Sequence, residues 1–336
     1  MSAVKRWLRP TIAVAIALVL GGCGGSQSTL APRSPQAQDI ATLWWWMLGI
    51  AAVVFFGAVA LLVISWTRRR TPGLPLLGRN ERASTALVIV FGIVIPAAIL
   101  IPLFGVSDIY VLGKTDQPTA GSSAMTIRVI GHQWFWEVRY PGAGAATANE
   151  IHIPARTPVD VVATTDDVIH SFWVPQLNRK IDMIPDRRNR IVLYASRPGV
   201  YRGQCAEFCG LQHAHMAMRV FAQPRPAFQR WLRDTSKPAR PPATPLARRG
   251  ERVFMSSQCA SCHTIGGTSA RGTVGPDLTH VASRTTLAAD TIPNTAYWLQ
   301  RWIRDPQAIK PGNKMPDLGL RGRKLAAVVA YLRGLH

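Results

Sequence analysis

Two stretches of this chain cannot face water without a partner. Leu43 to Trp66 runs without one charged side chain, and so does Ala83 to Phe104. Each reaches the ~20 apolar residues that a helix needs to cross ~30 Å of hydrocarbon. Trp44, Trp45 and Trp46 open the first run, where aromatic rings prefer the lipid–water interface. Between the runs stand Arg68, Arg69, Arg70, Arg79 and Arg82 against one acid, Glu81. A short basic loop stays in the cytoplasm, so everything beyond about residue 108 is expected to face outward. Pro96 and Pro102 are tolerated in lipid where neighbouring helices satisfy the freed carbonyls. The hairpin over 40–108 is therefore expected to pack on a larger membrane partner.

Residues 1–23 read as a bacterial export signal. Lys5, Arg6 and Arg9 form its basic start, and Thr11 to Leu20 is apolar but too short to span. It ends in Leu20-Gly21-Gly22-Cys23, which resembles a lipobox, with Cys23 as the lipid attachment point. An ordinary signal with a chance cysteine is the alternative. The predicted location is a bacterial cell membrane, crossed more than once, with the remaining domains on the outer, periplasmic or extracytoplasmic side.

A hydrophobic share of 48% excludes a disordered chain, and five cysteines in 336 residues are too few for a disulfide scaffold. The net charge of +21 would suit nucleic acid or a membrane surface. It is not concentrated, however. Residues 105–245 carry 17 basic and 11 acidic side chains, net +6, and residues 246–336 carry 13 and 5, net +8. No nucleic-acid patch is expected.

The exported part divides in two. Residues 120–233 hold short β-like runs, among them Met125 to Ile130, Pro158 to Thr164, Arg190 to Ala195 and Met216 to Ala222, separated by turn residues. This predicts a small all-β sandwich or barrel. Residues 234–245 carry four prolines and read as a semi-extended linker, reaching at most ~37 Å. Residues 246–336 turn helical, with apolar residues at helical spacing over Ala296 to Arg304 and Arg323 to Arg333.

Each exported part carries one soft-ligand motif. Cys205, Cys209, His213 and Met216 crowd a single loop, and thiolate, imidazole and thioether together select copper over hard cations. Two cysteines at C-x3-C suggest bridging thiolates and two coppers, with His170 as the best second imidazole. A Cys205–Cys209 disulfide and a zinc site are the rival readings. In the second part, Cys259-Ala260-Ser261-Cys262-His263 is the attachment signature of c-type haem. Met315 is the expected sixth ligand, since Met/His ligation suits such a haem. Met255 is the rival, placed by its helix in the core. Trp298 and Trp302 are expected to shield the haem.

The copper loop resembles subunit II of the haem–copper cytochrome c oxidases, with its dicopper centre CuA. Gly131-His132-Gln133-Trp134-Phe135-Trp136 is similar to the family's aromatic segment, and His170-Ser171-Phe172-Trp173-Val174-Pro175 to its first-histidine segment. Residues 246–336 resemble a class I cytochrome c. The joined architecture resembles a caa-type oxidase subunit: a two-helix transmembrane hairpin, an all-β cupredoxin-like domain and an all-α class I cytochrome c domain. The resemblance implies CuA ligands His170, Cys205, Cys209, His213, Met216 and the Glu207 backbone carbonyl. It implies magnesium on the Glu207 carboxylate at the contact with subunit I, and electron entry at Trp134. His132 and His215 have no implied ligand role.

The implied function is electron transfer from haem c through CuA to subunit I, which reduces oxygen to water with proton pumping. No oxygen-reducing site is found in this chain. The implied cofactors are two copper ions, haem c and a shared magnesium; the partners are subunit I, other oxidase subunits, membrane lipid, and cytochrome c or a cytochrome bc complex as external donor. An electron-transfer module of a nitric or nitrous oxide reductase is the alternative. Because both exported domains are basic, the linker is expected to replace charge attraction between them, leaving internal transfer weakly dependent on salt. One departure stands out: the family often carries a glutamate seven residues before the proline of the second span, and Ile89 stands there. Should Glu81 take over its role, Glu81→Gln lowers turnover by ~10-fold or more. Turnover at the wild-type rate removes Glu81 from proton entry.

Overall fold

The computed structural model describes residues 25–68, 81–115, 123 and 125–336. Residues 1–23 with Cys23, and Arg69, Arg70 and Arg79 of the basic loop, lie outside the described residues. The chain divides into two compact units, residues 38–116 and the remainder.

In the first unit, helix α1 spans Pro35–Arg68. The second run starts as helix α2, Glu81–Ile89, widens into a π-helical turn at Val90–Val94, and continues as helix α3, Ile95–Val106. Pro96 explains the widening. It has no N–H to give the carbonyl four residues back, so the turn before it is under no i→i−4 constraint. Trp45, Phe56, Leu62, Ile101 and Phe104 are all exposed. Such faces are stable only against lipid or another protein. Trp46 and Val53 of α1 and Ala98 and Pro102 of α3 line one groove.

The second unit begins with a sandwich of two five-stranded sheets. One has the order β3 (Ala145–Ala148), β2 (Phe135–Tyr140), β1 (Met125–His132), β5 (Val159–Thr165), β8 (Asn189–Leu193), and the other β4 (Glu150–Pro154), β10 (Ala217–Gln223), β9 (Gly199–Cys205), β6 (His170–Trp173), β7 (Ile181–Met183). Strands β1 (Met125–His132) and β5 (Val159–Thr165) pair in parallel, with Ile127 opposite Val161. Their alternation puts Ile127, Val129, Val159, Val161 and Ala163 into the core and Thr126 and Arg128 outward. Strands β9 (Gly199–Cys205) and β10 (Ala217–Gln223) pair antiparallel, with the copper loop between them. Strand β6 is His170–Trp173. Helix α4 (Arg225–Thr235) then lays Phe228 and Trp231 on the sandwich, where Trp231 stacks on His152 at 3.9 Å.

Helix α5 (Pro245–Met255) opens the helical part, capped by the Thr244 hydroxyl, which accepts from Ala247 N. Short helix α6 (Cys259–Cys262), helix α7 (Ala296–Arg304) and helix α8 (Gly322–Leu332) follow. Phe254 of α5 meets Tyr331 of α8 edge-on at 5.9 Å, and with Leu299, Ile303 and Val328 they form a separate core. The proline-rich segment between α4 and α5 is no loose tether. Ala239 N donates to Gly266 O at 2.9 Å and the Lys237 carbonyl accepts from His280 Nε2.

Candidate metal centre and haem cavity

The strand ends bring the soft ligands together. Cys205 ends β9, Met216 directly precedes β10, and a backbone bond from Cys205 N to Met216 O closes the loop between them. His170 opens β6, and Ala206 N donates to Ser171 O, which ties that strand to the loop. Cys205 Sγ lies 3.8 Å from Cys209 Sγ, 3.7 Å from His170 Nδ1 and 3.2 Å from the Glu207 carbonyl. Cys209 Sγ lies 3.6 Å from His213 Nδ1 and 3.8 Å from Met216 Sδ. The sulfurs are too far apart for a disulfide, whose S–S bond is ~2.05 Å. Two thiols, two imidazoles and a thioether around one buried point fit soft copper ions.

The ligand orientations are fixed by neighbours. His170 Nε2 bonds Asp167 Oδ1 at 2.9 Å, so Nδ1 is the nitrogen turned to the sulfur. Burial raises the Asp167 carboxyl, but bonds from His170 and from the N–H groups of Gln133 and Val168 outweigh it and hold it far below the usual range. The hydrogen bond shared with Cys209 holds the Cys205 thiol well below the usual range, against the opposing effect of burial. Gly131 is needed beside the histidine, since a Cβ there would come within 2.8 Å of His170 Cδ2. His132 bonds Glu137 at 3.0 Å and His215 bonds Gln212 at 3.0 Å; neither joins the cluster. The Glu207 side chain is exposed beside it.

A second cavity is lined by Cys259, Cys262, His263 and Met315. His263 Nδ1 bonds the Pro276 carbonyl at 2.8 Å, which leaves Nε2 for a metal. Gly275 presses on that ring: a Cβ would sit 2.4 Å from His263 Cε1. Arg284 lines the cavity, and its buried Nε has no hydrogen-bond partner among the described residues. A buried, unpartnered guanidinium nitrogen fits a ligand that brings carboxylates, as haem does. Met255 does not line the cavity and accepts from Ser269 Oγ at 3.7 Å. Trp302 lines it, but Trp298 does not. That ring lies near the capped start of α7, edge-on to Tyr297 and beside Arg301. The expectation that both tryptophans shield haem is thus corrected for Trp298.

Gln133, Trp134, Phe135 and Asn149 of the sandwich also line the haem cavity. Trp134 Nε1 donates to the Cys209 carbonyl at 3.0 Å, and Gln133 Nε2 to the same oxygen at 2.8 Å. One indole therefore touches both the cavity and the copper loop. Sequence reasoning missed the contacts that hold this arrangement. Asp290 of the helical part, with its side chain 2% exposed, meets Arg202 Nε at 2.9 Å and Arg219 Nε at 2.6 Å. Buried Glu150 accepts from Thr285 N and Oγ1, both at 2.6 Å. Net charge carried no sign of these local acids.

A family model described as the periplasmic domain of cytochrome c oxidase subunit II matches residues 144–222, and a cytochrome c model matches residues 247–336. Cytochrome c oxidase subunit 2 of Alkalihalophilus pseudofirmus is 33% identical over 329 residues, covering 95% of this chain and 94% of the relative. Subunit 2 of Bacillus subtilis is 29% identical over 352 residues, covering 99% and 98%. Among solved structures, the periplasmic domain of subunit II of cytochrome oxidase from Bradyrhizobium japonicum is 30% identical, covers 35% of this chain and 96% of that one, and gives a TM-score of 0.34. Alike over nearly its whole length to a named subunit 2, and carrying sandwich and haem-cavity domains in that order, the chain belongs to the cytochrome c oxidase subunit 2 family, in a form with a cytochrome c domain fused behind it.

Proposed function

We propose that this chain relays electrons from an external donor to oxidase subunit I, where oxygen is reduced with proton pumping. In this reading Cys259 and Cys262 attach haem c, His263 and Met315 are its axial ligands, and His170, Cys205, Cys209, His213, Met216 and the Glu207 carbonyl hold the two coppers. When bound, these groups take up and release single electrons. The chain's own part is to fix them. Asp167 and the Pro276 carbonyl orient the two ligand histidines, the sandwich core keeps water from the thiols, and Arg284 meets a haem carboxylate. Trp134 is the proposed electron entry to CuA. One observation carries the reading: the Trp134 indole lines the haem cavity and bonds the Cys209 carbonyl.

The same reading places the hairpin over 40–108 in the membrane beside other oxidase subunits, with domains 120–233 and 246–336 outside. The exposed Glu207 carboxylate is the proposed magnesium contact toward subunit I, Cys23 the lipid site, and cytochrome c or a cytochrome bc complex the donor. A spectrum of the purified full-length protein tests the core of it. Near-infrared CuA absorption beside a haem c α-band is expected; haem without copper would sink the proposal.

A further inference from the structure

Lys310 is a buried cation whose described partners include no carboxylate. It is 2% exposed. Its Nζ donates to the carbonyls of His215 at 2.9 Å and Ala288 at 3.1 Å, and reaches that of Trp134 at 3.5 Å. An ammonium has three donors, and three carbonyls from three segments surround this one. Burial pushes the group down to about 8. A buried charge is costly, so a site that keeps one has to be well ordered around it.

The segments it joins are those that matter for transfer. Trp134 lies between cavity and copper loop, and His215 stands between the proposed ligands His213 and Met216. Lys310 itself belongs to the loop that ends at Met315. That loop is braced from within, as Gln307 Nε2 donates to Asn313 O and Met315 O and Met315 N donates to Asn313 Oδ1. It meets the copper domain again through Gln212 Nε2, which donates to Pro311 O at 2.6 Å.

Ala288 opens a run of three left-handed residues, with φ of +54° at Ala288, +57° at Ala289 and +62° at Asp290. Without glycine this conformation is strained, and it persists only where its surroundings impose it. Here they do. Lys310 holds the Ala288 carbonyl, Ala217 N donates to the Ala289 carbonyl, and Arg202 and Arg219 hold the Asp290 carboxylate.

We infer that Lys310 is a positioning residue for electron transfer between the two domains: its ammonium ties the Met315 loop and the strained 288–290 turn to the backbone of Trp134 and His215, fixing the haem cavity against the copper loop. The inference rests on the proposed relay. The linker then sets the connection, and Lys310 sets the pose.

The test is Lys310→Met in the full-length subunit within its oxidase. Methionine keeps most of the volume and removes the donors. The rate of CuA reduction after rapid reduction of haem c is measured across ionic strength, with both spectra and both potentials recorded. The expected result is an internal rate lowered by ~10-fold or more, as misplacement of reacting groups entails. It should gain a steeper salt dependence than wild type, while spectra, potentials and haem c reduction by a small-molecule reductant stay unchanged. An unchanged rate at every ionic strength overturns the inference. So does a slow rate that comes with a shifted haem or copper spectrum, which would make Lys310 a folding residue. Absence of haem-to-CuA transfer in wild type would instead overturn the relay itself.

Discussion

Cys209→Ser removes the near-infrared copper absorption, leaves the haem c α-band intact and lowers oxidase turnover by more than ~100-fold. Cys209 Sγ lies among three other soft donors, at 3.8 Å from Cys205 Sγ, 3.6 Å from His213 Nδ1 and 3.8 Å from Met216 Sδ. A serine hydroxyl is nearly isosteric but hard and stays protonated, so it cannot replace a bridging thiolate. Changes to groups that only orient a ligand already cost 10–100-fold, and loss of the ligand itself should exceed that. The haem should survive because its cavity rests on a separate core around Phe254, Leu299, Ile303 and Tyr331. Absorption from the visible to the near infrared, with oxygen uptake on the same sample, measures all three quantities. Full-strength near-infrared absorption in the variant would show that Cys209 is not a copper ligand.

Much of this site is legible in the sequence because its chemistry is local. Cys205, Cys209, His213 and Met216 fall within twelve residues, and a loop between two paired strands has little choice but to bring them together. The C-x-x-C-H run is more compact still. Strand and helix limits are legible to within a residue or two: Pro158 to Thr164 is found as Val159–Thr165, and Ala296 to Arg304 as Ala296–Arg304. The expectation for Trp298 fails for a geometric reason. Trp298 shares a helix face with Trp302, yet it lies one turn closer to the capped start of α7, beyond the cavity wall.

What sequence could not show is the contact between the two exported domains. Their net charges, +6 and +8 over 105–245 and 246–336, argue against attraction. A sum, however, does not locate its members. The helical domain has five acids, and one of them, Asp290, is buried between Arg202 and Arg219. The copper domain returns the favour with Glu150, whose carboxylate meets Thr285. Lys310 is harder still to foresee, because a cation satisfied by backbone carbonyls leaves no complementary residue to find. Attraction over distance and fit at contact are different quantities. The linker can supply the first while these few groups supply the second.

If Trp134 is the bridge, Trp134→Leu slows internal electron transfer by ~100-fold while haem c reduction and both absorption spectra remain as in wild type. The indole is half-buried, lines the haem cavity and hydrogen-bonds the Cys209 carbonyl at 3.0 Å. Leucine removes both the ring that faces the cavity and the N–H that meets the copper loop. The fold should tolerate it. Trp134 only borders the sandwich core, whereas Trp136, two residues on, is fully buried within it. The magnitude follows from placement: a reacting group displaced by ~1 Å can cost ~100-fold. Gln133→Leu is the control, because Gln133 bonds the same carbonyl at 2.8 Å and lines the same cavity without an aromatic ring. If hydrogen bonding to Cys209 O were the decisive link, both variants would slow equally. If the indole carries the electron, Gln133→Leu stays within a few-fold of wild type. Time-resolved CuA reduction separates these outcomes, and a Trp134→Leu rate equal to wild type would move the path elsewhere on the interface.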